Sequence, residues 1–463
     1  MKSDSHSTRA PRERVIVCGV LFPDRKDVHG DVLSEIRGLA EAAGVDVVGE
    51  GILQRRQRPD PSTLMGRGKV DEIKLEVERH SPDAVVVDND LSPAQVRNLE
   101  QALCVRIVDR SELILDIFAR RAQTHQARLQ VELAQVEYLL PRLRRMWTHL
   151  ERQVGGIGTR GPGETQLETD RRLLLRRVRD LKGRLAEIEA RKRRQVRSRS
   201  EQFTVGLVGY TNAGKTTLLN VLTGSMELSA DMLFATLDTR TRQWRLDDGR
   251  TVLLSDTVGF LQRLPHHLVA SFHATLEEAL NVDLLMHVVD ASHPEAETQL
   301  SAVEDVLSDL SPHRGSDLLV LNKIDRVEDP LRLHLLLHGR EQEAVYVSAA
   351  RGEGLDRLQE AVAARLDRRS ATIELRLPLE DGRGIAFARR AGILESEEFG
   401  ESLVRMRLRV GERMLGNLRR SLDAGTSIEV LAPPAEPLLV EVEPQDGRPE
   451  WLDETDRAPS KPA

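Results

Sequence analysis

The chain has 463 residues, 67 Lys or Arg against 74 Asp or Glu for a net charge of -7, and only 3% aromatic residues. That length exceeds one hydrophobic core and predicts roughly two to four domains of a soluble, helix-rich protein. No stretch approaches the ~20 apolar residues of a membrane span, and Met1-Lys2-Ser3-Asp4 lacks the apolar segment of a secretory signal. Cys18 and Cys104 lie far apart on apparent strands and read as buried thiols, not as a metal or redox pair. These features fit a reducing cytoplasm.

The fold class expected is α/β and multidomain, and the elements follow in chain order. Residues 1–12 are polar and read as a disordered N-terminus. Residues 13–110 alternate apolar strands (15–20, 45–48, 84–88, 105–108) with helical stretches near 31–43, 68–80 and 92–103. That alternation predicts a small N-terminal parallel α/β domain. Lys69, in Met65-Gly66-Arg67-Gly68-Lys69, has the wrong spacing for a phosphate loop and reads as a turn into a helix.

Residues 111–200 read as an antiparallel helical hairpin. Leu129, Leu133, Val136, Leu140, Leu143, Trp147 and Leu150 recur at spacings of four and three, and so do Leu174, Val178, Leu181, Leu185 and Ile188. Such spacing is the seam of a coiled coil. Arms of about 25–35 residues would make a rod roughly 40–50 Å long. Pro141 marks a kink or break in the first arm. The connecting loop, 155–163, is rich in glycine, carries Arg160 at its tip, and is longer than a turn requires. Between Arg171 and Arg199 stand thirteen Lys or Arg against three acids (Asp180, Glu187, Glu189), a basic segment inside an acidic chain. A solvated helix face is the plain reading of that run; a nucleic-acid contact is the functional one.

Residues 201–370 resume the strand–helix alternation and carry the chemistry. An apolar strand ends in Gly209-Tyr210-Thr211-Asn212-Ala213-Gly214-Lys215-Thr216 and opens into a helix beginning at Thr217, the strand–loop–helix setting a phosphate-binding loop requires. Its glycines let amides converge on phosphates, Lys215 reaches the outer phosphates, and the Thr216 hydroxyl suits Mg²⁺. The strand 252–255 delivers Asp256-Thr257-Val258-Gly259, where the acid belongs behind the metal and the Gly259 amide meets the terminal phosphate. Between the two lies a switch segment, Phe234-Ala235-Thr236-Leu237-Asp238, in which Thr236, Thr239 and Thr241 compete to close over the metal.

Asn322-Lys323-Ile324-Asp325 follows the strand 318–321, at the carboxyl end where α/β sheets bind ligands. The Asp325 carboxylate can accept from guanine N1 and N2. Adenine lacks that donor pair, a penalty of ~1–3 kcal/mol or more for the unpaired acid. Ser348-Ala349-Ala350 ends a further strand whose backbone can meet guanine O6. Phe260 replaces the glutamine that orients water in many small GTPases, so the hydrolytic residue is unknown; Lys215 and Asn212 are the candidate phosphate or ion stabilisers. Asparagine at position 212 occurs in GTPases that use K⁺ beside the phosphates, and equally as a loop-stabilising amide.

Residues 371–431 form a small α+β C-terminal domain, with strands near 372–377, 393–399 and 402–409 and helices near 383–391 and 411–420. Residues 432–463 read as an acidic, Pro-rich tail.

From about residue 14 to 420 the chain resembles the HflX family of ribosome-associated GTPases. The resemblance rests most specifically on Gly155-Gly156-Ile157-Gly158-Thr159-Arg160-Gly161-Pro162-Gly163-Glu164-Thr165-Gln166-Leu167-Glu168-Thr169-Asp170-Arg171-Arg172, with the phosphate loop about forty residues on. Leu113–Phe118, Gln130–Gln135 and Phe234–Asp238 also match, and the absent glutamine fits the family; the tail beyond 432 is longer than expected. The resemblance implies Thr236 as second Mg²⁺ ligand beside Thr216, and a cytoplasmic factor that binds the large (50S) ribosomal subunit and splits or rescues stalled or idle ribosomes. It implies rRNA contacts through the hairpin, with Arg160, Arg171 and Arg172 as candidates. The partners expected are GTP or GDP and the 50S subunit with its rRNA, with no DNA and no integral membrane association beyond a weak peripheral one; the protein is expected to be a monomer. An RNA-remodelling NTPase and a ribosome assembly GTPase are the alternative functions.

Overall fold

The computed structural model describes residues 12–23, 31–143, 162–198, 203–225, 240–257, 259–261, 280, 282–310, 318–329, 333, 336–337, 344–421 and 426–435. The chain divides into two compact units, Met1–Val362 and Ala363–Ala463.

The first unit opens with β1 (Arg14–Leu21), α1 (Ser34–Ala42), β2 (Asp46–Val47), β3 (Ile52–Arg55), α2 (Arg67–His80), β4 (Ala84–Val87), α3 (Pro93–Leu103) and β5 (Arg106–Asp109). The strands form a parallel sheet in the order β2-β1-β4-β5, with β3 also pairing β1. Seven successive residues of β1 are buried, the pattern of a strand covered on both faces. Helix α3 starts on a reciprocal capping box between Ser92 and Gln95 with Pro93 in its first turn. Strand β3 was not expected. As expected, Lys69 lies in α2, where it pairs with Glu72 at 2.6 Å.

Cys18 is buried on β1, and burial followed by the Asp88 charge pushes its thiol up to about 12. Cys104 corrects the expectation of two buried thiols: it is exposed and sits in the left-handed conformation that caps α3. An apolar residue type in a short run after a helix looks like the start of a strand, and the capping turn intervenes.

Next come α4 (Arg110–Arg121), α5 (His125–Leu139) and α6 (Pro162–Ser198). The expected division put α4 with the hairpin. Its residues Leu113, Ile114, Leu115, Ile117 and Phe118 share a core with Val15, Val17 and Ala84 of the N-terminal sheet as well as with Ala127 and Val131 of α5. The Asp109 carboxylate caps α4 by accepting from the Glu112 amide at 2.8 Å. It also accepts from Tyr138 Oη at 2.9 Å and from Arg142 Nη2 at 3.0 Å, and the Arg142 guanidinium stacks over the Tyr138 ring. Thus the end of β5 holds the end of α5.

The seam follows the spacing from Leu129 to Leu140: Leu129, Leu133 and Val136 cluster with Val178, Leu181 and Leu185, and Leu140, Leu174 and Ile188 pack against them, while Leu143, past the end of α5, is not in the cluster. Glu132–Arg177 and Glu137–Lys182 ion pairs flank it. Helix α5 stops at Leu139, two residues before Pro141; Leu140 keeps helical geometry, and Pro141 has no N–H to continue the ladder. Pro162 and Gly163 open α6 instead of closing the loop, because proline suits a first helical turn. At 37 residues α6 is longer than the expected arm and spans about 55 Å. Trp147, Leu150 and the loop 155–161 with Arg160 lie outside the described residues.

The nucleotide-type domain follows with β6 (Thr204–Gly209), α7 (Lys215–Thr223), β7 (Arg240–Arg245), β8 (Thr251–Asp256), β9 (Leu284–Asp290), α8 (Ala296–Leu310), β10 (Leu318–Asn322), β11 (Ala344–Tyr346) and α9 (Leu355–Arg368). Its sheet runs β11-β10-β9-β6-β8-β7, parallel except for the β7–β8 hairpin pair. Strands β6, β9 and β10 are almost entirely apolar and buried, so their carboxyl ends are rigid platforms for whatever follows them.

In the second unit β12 (Ser370–Pro378), α10 (Gly382–Ala391), β13 (Ile393–Phe399), β14 (Leu403–Gly411), α11 (Glu412–Ser421) and β15 (Ser427–Ala432) form a β-α-β-β-α-β fold, strand order β13-β14-β12-β15. Ala371, Ile373, Leu375 and Leu377 of β12 alternate into a core with Val404, Met406 and Leu408 of β14. Strand β15 was not expected: the expected elements of this domain ended with the helix near 411–420 and the tail began at 432, yet the strand closes one edge by pairing antiparallel with β12.

Candidate functional site

The loop after β6 is shaped by two glycines that no other residue could replace. Gly209 has φ +150, and a Cβ there would stand 2.1 Å from Val288 O on the neighbouring strand. Gly214 has φ +91, and its Cβ would stand 2.3 Å from the Asn322 amide nitrogen. Asn212 adopts φ +62 between them, a conformation asparagine tolerates better than most residues.

Lys215, at the first turn of α7, is buried. Its ammonium donates to Gly209 O at 3.0 Å and to Tyr210 O at 2.8 Å, inside the loop. Burial pushes it down to about 8, while the Asp256 charge works in the opposite direction. Thr216 Oγ1 donates to Asp256 Oδ2 at 2.8 Å, and Thr257 Oγ1 donates to Leu207 O at 2.7 Å. A hydroxyl beside a buried carboxylate, both hard oxygen donors, suits Mg²⁺. Thr217 follows in α7, half-buried.

Gly259 stands against this loop: a Cβ on it would meet Thr211 Cγ2 at 2.7 Å and Lys215 Nζ at 3.2 Å. The next residue, Phe260, is 3% exposed. Its amide donates to Gly209 O at 3.1 Å, and its carbonyl accepts from the Thr211 amide at 2.8 Å. The side chain belongs to a core that also contains Tyr210, Leu261, Ala127, Val131 and Tyr138. The residue at the usual glutamine position is therefore a core residue, in the same cluster as residues of helix α5. Thr236, with Phe234, Ala235, Leu237 and Asp238, lies outside the described residues, as do Thr239 and Val258. Thr241, one of the three competing threonines, sits on β7 with its hydroxyl 2.9 Å from that of Ser255.

The guanine-type motif converges on the same loop from β10. Asn322 donates to Ala213 O at 2.9 Å and accepts from the Ala349 amide at 3.0 Å, fastening the loop to the segment 348–350. Lys323, at φ +60, donates to Asn212 O at 2.8 Å and pairs with Asp290 at 2.7 Å. Ile324 begins a short 3₁₀ turn that presents Asp325. Ser348, fully buried, donates to Asp325 Oδ1 at 2.7 Å, which holds that carboxyl below its usual range, with the Arg351 charge adding to the effect. Ala350 is exposed beside it.

Asp290 and the Ser348 side chain escaped the sequence reading. The signal for Asp290 was an acid closing the apolar strand Leu284–Asp290, next to the strand that carries Asn322. Ser348 was read for its backbone alone. Among the candidate nucleic-acid residues, Arg171 and Arg172 are exposed on α6, with Arg176 and Arg179 exposed one and two turns on.

Three family models match in succession: GTP-binding GTPase N-terminal over residues 30–119, GTP-binding GTPase Middle Region over 121–199, and 50S ribosome-binding GTPase over 204–323. The curated GTPase HflX of Escherichia coli K12 is 45% identical over 373 residues, covering 80% of this chain and 87% of its own. That of Caldanaerobacter subterraneus is 41% identical over 401 residues, covering 86% and 91%. A GTP-binding protein of Sulfolobus solfataricus solved with GDP aligns with 76% of this chain and 98% of its own at TM-score 0.41 and 23% identity. With a complete phosphate loop, an Asp-x-x-Gly and an Asn-Lys-x-Asp converging on one point, the chain is a GTPase and belongs to the HflX family.

Proposed function

We propose that this GTPase uses its nucleotide cycle to bind the large ribosomal subunit through its rRNA and to split or rescue stalled or idle ribosomes, acting as a monomer in the cytoplasm. The observation that carries the reading is the exposed row Arg171, Arg172, Arg176 and Arg179 on α6, in the same compact unit as the nucleotide site. A cationic face on a net-acidic chain selects polyanions, and phosphate contacts make such binding salt-sensitive. Arg160, in the glycine-rich segment that precedes α6 in sequence, belongs to the same proposed contact.

GTP and GDP occupy the phosphate loop 209–217, Asp256–Gly259, 322–325 and 348–350, with the switch 234–238 closing over them. Thr216 and Thr236 hold Mg²⁺, with Asp256 behind Thr216; when bound, the ion neutralises charge on the outer phosphates. K⁺ beside Asn212 is part of the proposal. The core shared by Phe260, Leu261 and helix α5 supports a lever that couples the Gly259–Leu261 segment to α5.

The test is sedimentation of ribosomes with the full chain and GTP, GDP or a non-hydrolysable analogue. The analogue is expected to promote binding and subunit separation, and Arg160→Ala to weaken both while sparing GTP binding. Equal ribosome binding with GDP and the analogue would refute the switch.

A further inference from the structure

Hydrolysis of the terminal phosphoryl needs a water held in line with the bond that breaks. Phe260 cannot hold it, being apolar, 3% exposed and seated in the core. The structure offers another residue at the same place. The point where a Gly259 Cβ would stand is 2.7 Å from Thr211 Cγ2, 2.9 Å from Thr211 Cα and 3.2 Å from Lys215 Nζ. Lys215 serves the outer phosphates, so this point marks the terminal end of the nucleotide. Thr211 therefore flanks the phosphoryl group that is transferred.

Its hydroxyl is spare. Thr211 is 5% exposed, and its Oγ1 is buried without a hydrogen-bond partner. The two other threonine hydroxyls described around the site are committed, Thr216 to Asp256 and Thr257 to Leu207 O. The Thr211 amide is also committed, donating to Phe260 O. A buried hydroxyl with no partner costs free energy unless something supplies one. Valine would fill the same volume at no such cost. The loop is pinned on both sides, by Phe260 at Thr211 and by Asn322 at Ala213, so Thr211 is pre-positioned and loses little freedom when a ligand arrives.

We infer that the Thr211 hydroxyl positions the attacking water in place of the missing glutamine. It accepts a hydrogen bond from the water and donates one to an oxygen of the terminal phosphoryl. The water oxygen forms the new bond to phosphorus, and the bond from phosphorus to the bridging oxygen breaks. GDP leaves with that oxygen, and the water's proton ends on the released phosphate. Thr211 gains and loses no net proton. The inference rests on GTP occupying this loop as proposed above.

The test measures single-turnover GTP hydrolysis and GDP affinity in the full chain with Mg²⁺, and affinity for GDP with aluminium fluoride. Thr211→Val keeps shape and removes the hydroxyl; Thr211→Ser keeps the hydroxyl. The Val variant is expected to lose about 10- to 100-fold in hydrolysis rate and to bind the aluminium fluoride complex correspondingly weakly, with GDP affinity within about twofold. The Ser variant is expected to recover most of both. A Val variant that hydrolyses at the wild-type rate overturns the inference. So does loss of GDP affinity in both variants, which assigns Thr211 to loop structure, or a Ser variant as slow as the Val variant with GDP affinity intact, which assigns the effect to the methyl group. Failure of the unmodified chain to bind GDP at all would instead remove the underlying nucleotide reading.

Discussion

Replacing Asp325 with Asn isolates the chemistry that selects guanine. The carboxylate is aimed before any ligand arrives: Ser348 Oγ donates to Oδ1 at 2.7 Å, and the Ser348 amide is itself held by Glu353 O at 2.9 Å. Two acceptor positions facing guanine N1 and N2 each contribute about 1.5–3 kcal/mol as hydrogen bonds to a charged group, so both together contribute roughly 3–6 kcal/mol. Asn cannot reproduce them, because one of its two terminal groups is a donor that meets another donor. The expected outcome is a loss of GDP affinity of about 10²–10⁴-fold, at ~1.4 kcal/mol per decade. Xanthosine diphosphate, which carries a carbonyl where guanine has its 2-amino group, should gain affinity, since the new amide can donate to it. Titration calorimetry of both nucleotides with the full chain reads the switch, and a circular dichroism spectrum identical to wild type confirms the fold. If Asp325→Asn binds GDP within about threefold of wild type, or gains nothing for xanthosine diphosphate, the assignment of Asp325 to the base is wrong.

Other outcomes follow from the same structure. Lys215 is held down to about 8 by burial, below its ordinary 10.5, so the folded chain without nucleotide binds fewer protons than the unfolded chain between those values. Stability of that form should therefore rise with pH from about 8 to 10.5, while GDP, which needs the charged ammonium, should bind progressively more weakly above pH 8 with proton uptake measurable by calorimetry in two buffers. Leu181→Ala, at a fully buried seam position, should cost about 2–5 kcal/mol in chemical denaturation and leave GDP affinity unchanged. Arg110, 2% exposed, pairs with buried Asp88 at 2.5 Å and with half-buried Glu35; Arg110→Ala removes the guanidinium from both carboxylates and should cost about 3–5 kcal/mol by the same measurement. Arg171→Ala with Arg172→Ala should weaken ribosome binding and lower its salt slope by about one unit per lost phosphate contact; an unchanged slope would remove these residues from the contact.

Much of the site was legible because its chemistry is local in the chain. Gly209 and Gly214 flank a loop that only glycine can close, Lys215 and Thr216 follow at fixed spacing, and Asp325 stands three residues past a buried strand. The coiled-coil seam was legible for a related reason: Leu129, Leu133 and Val136, like Val178, Leu181 and Leu185, repeat at the period of the helix that carries them.

What the tertiary structure alone decided involves groups far apart in sequence. Apolar residues on α4 suit a helical hairpin and a sheet equally, and packing placed them in one core with Val15 and Ala84 of the sheet and Ala127 and Val131 of α5. Ser348 became a brace for Asp325 because the parallel strands β10 and β11 lie side by side, which ends both at the same height. Phe260 announced the absence of a glutamine, but its burial in one core with α5, and the unpaired Thr211 hydroxyl on the residue that faces Gly259, exist only once the loop, the strand end and the helix share that core. Local spacing specifies which groups a chain can offer; long-range packing specifies which of them meet, because burial and hydrogen-bond partners depend on the whole surrounding surface.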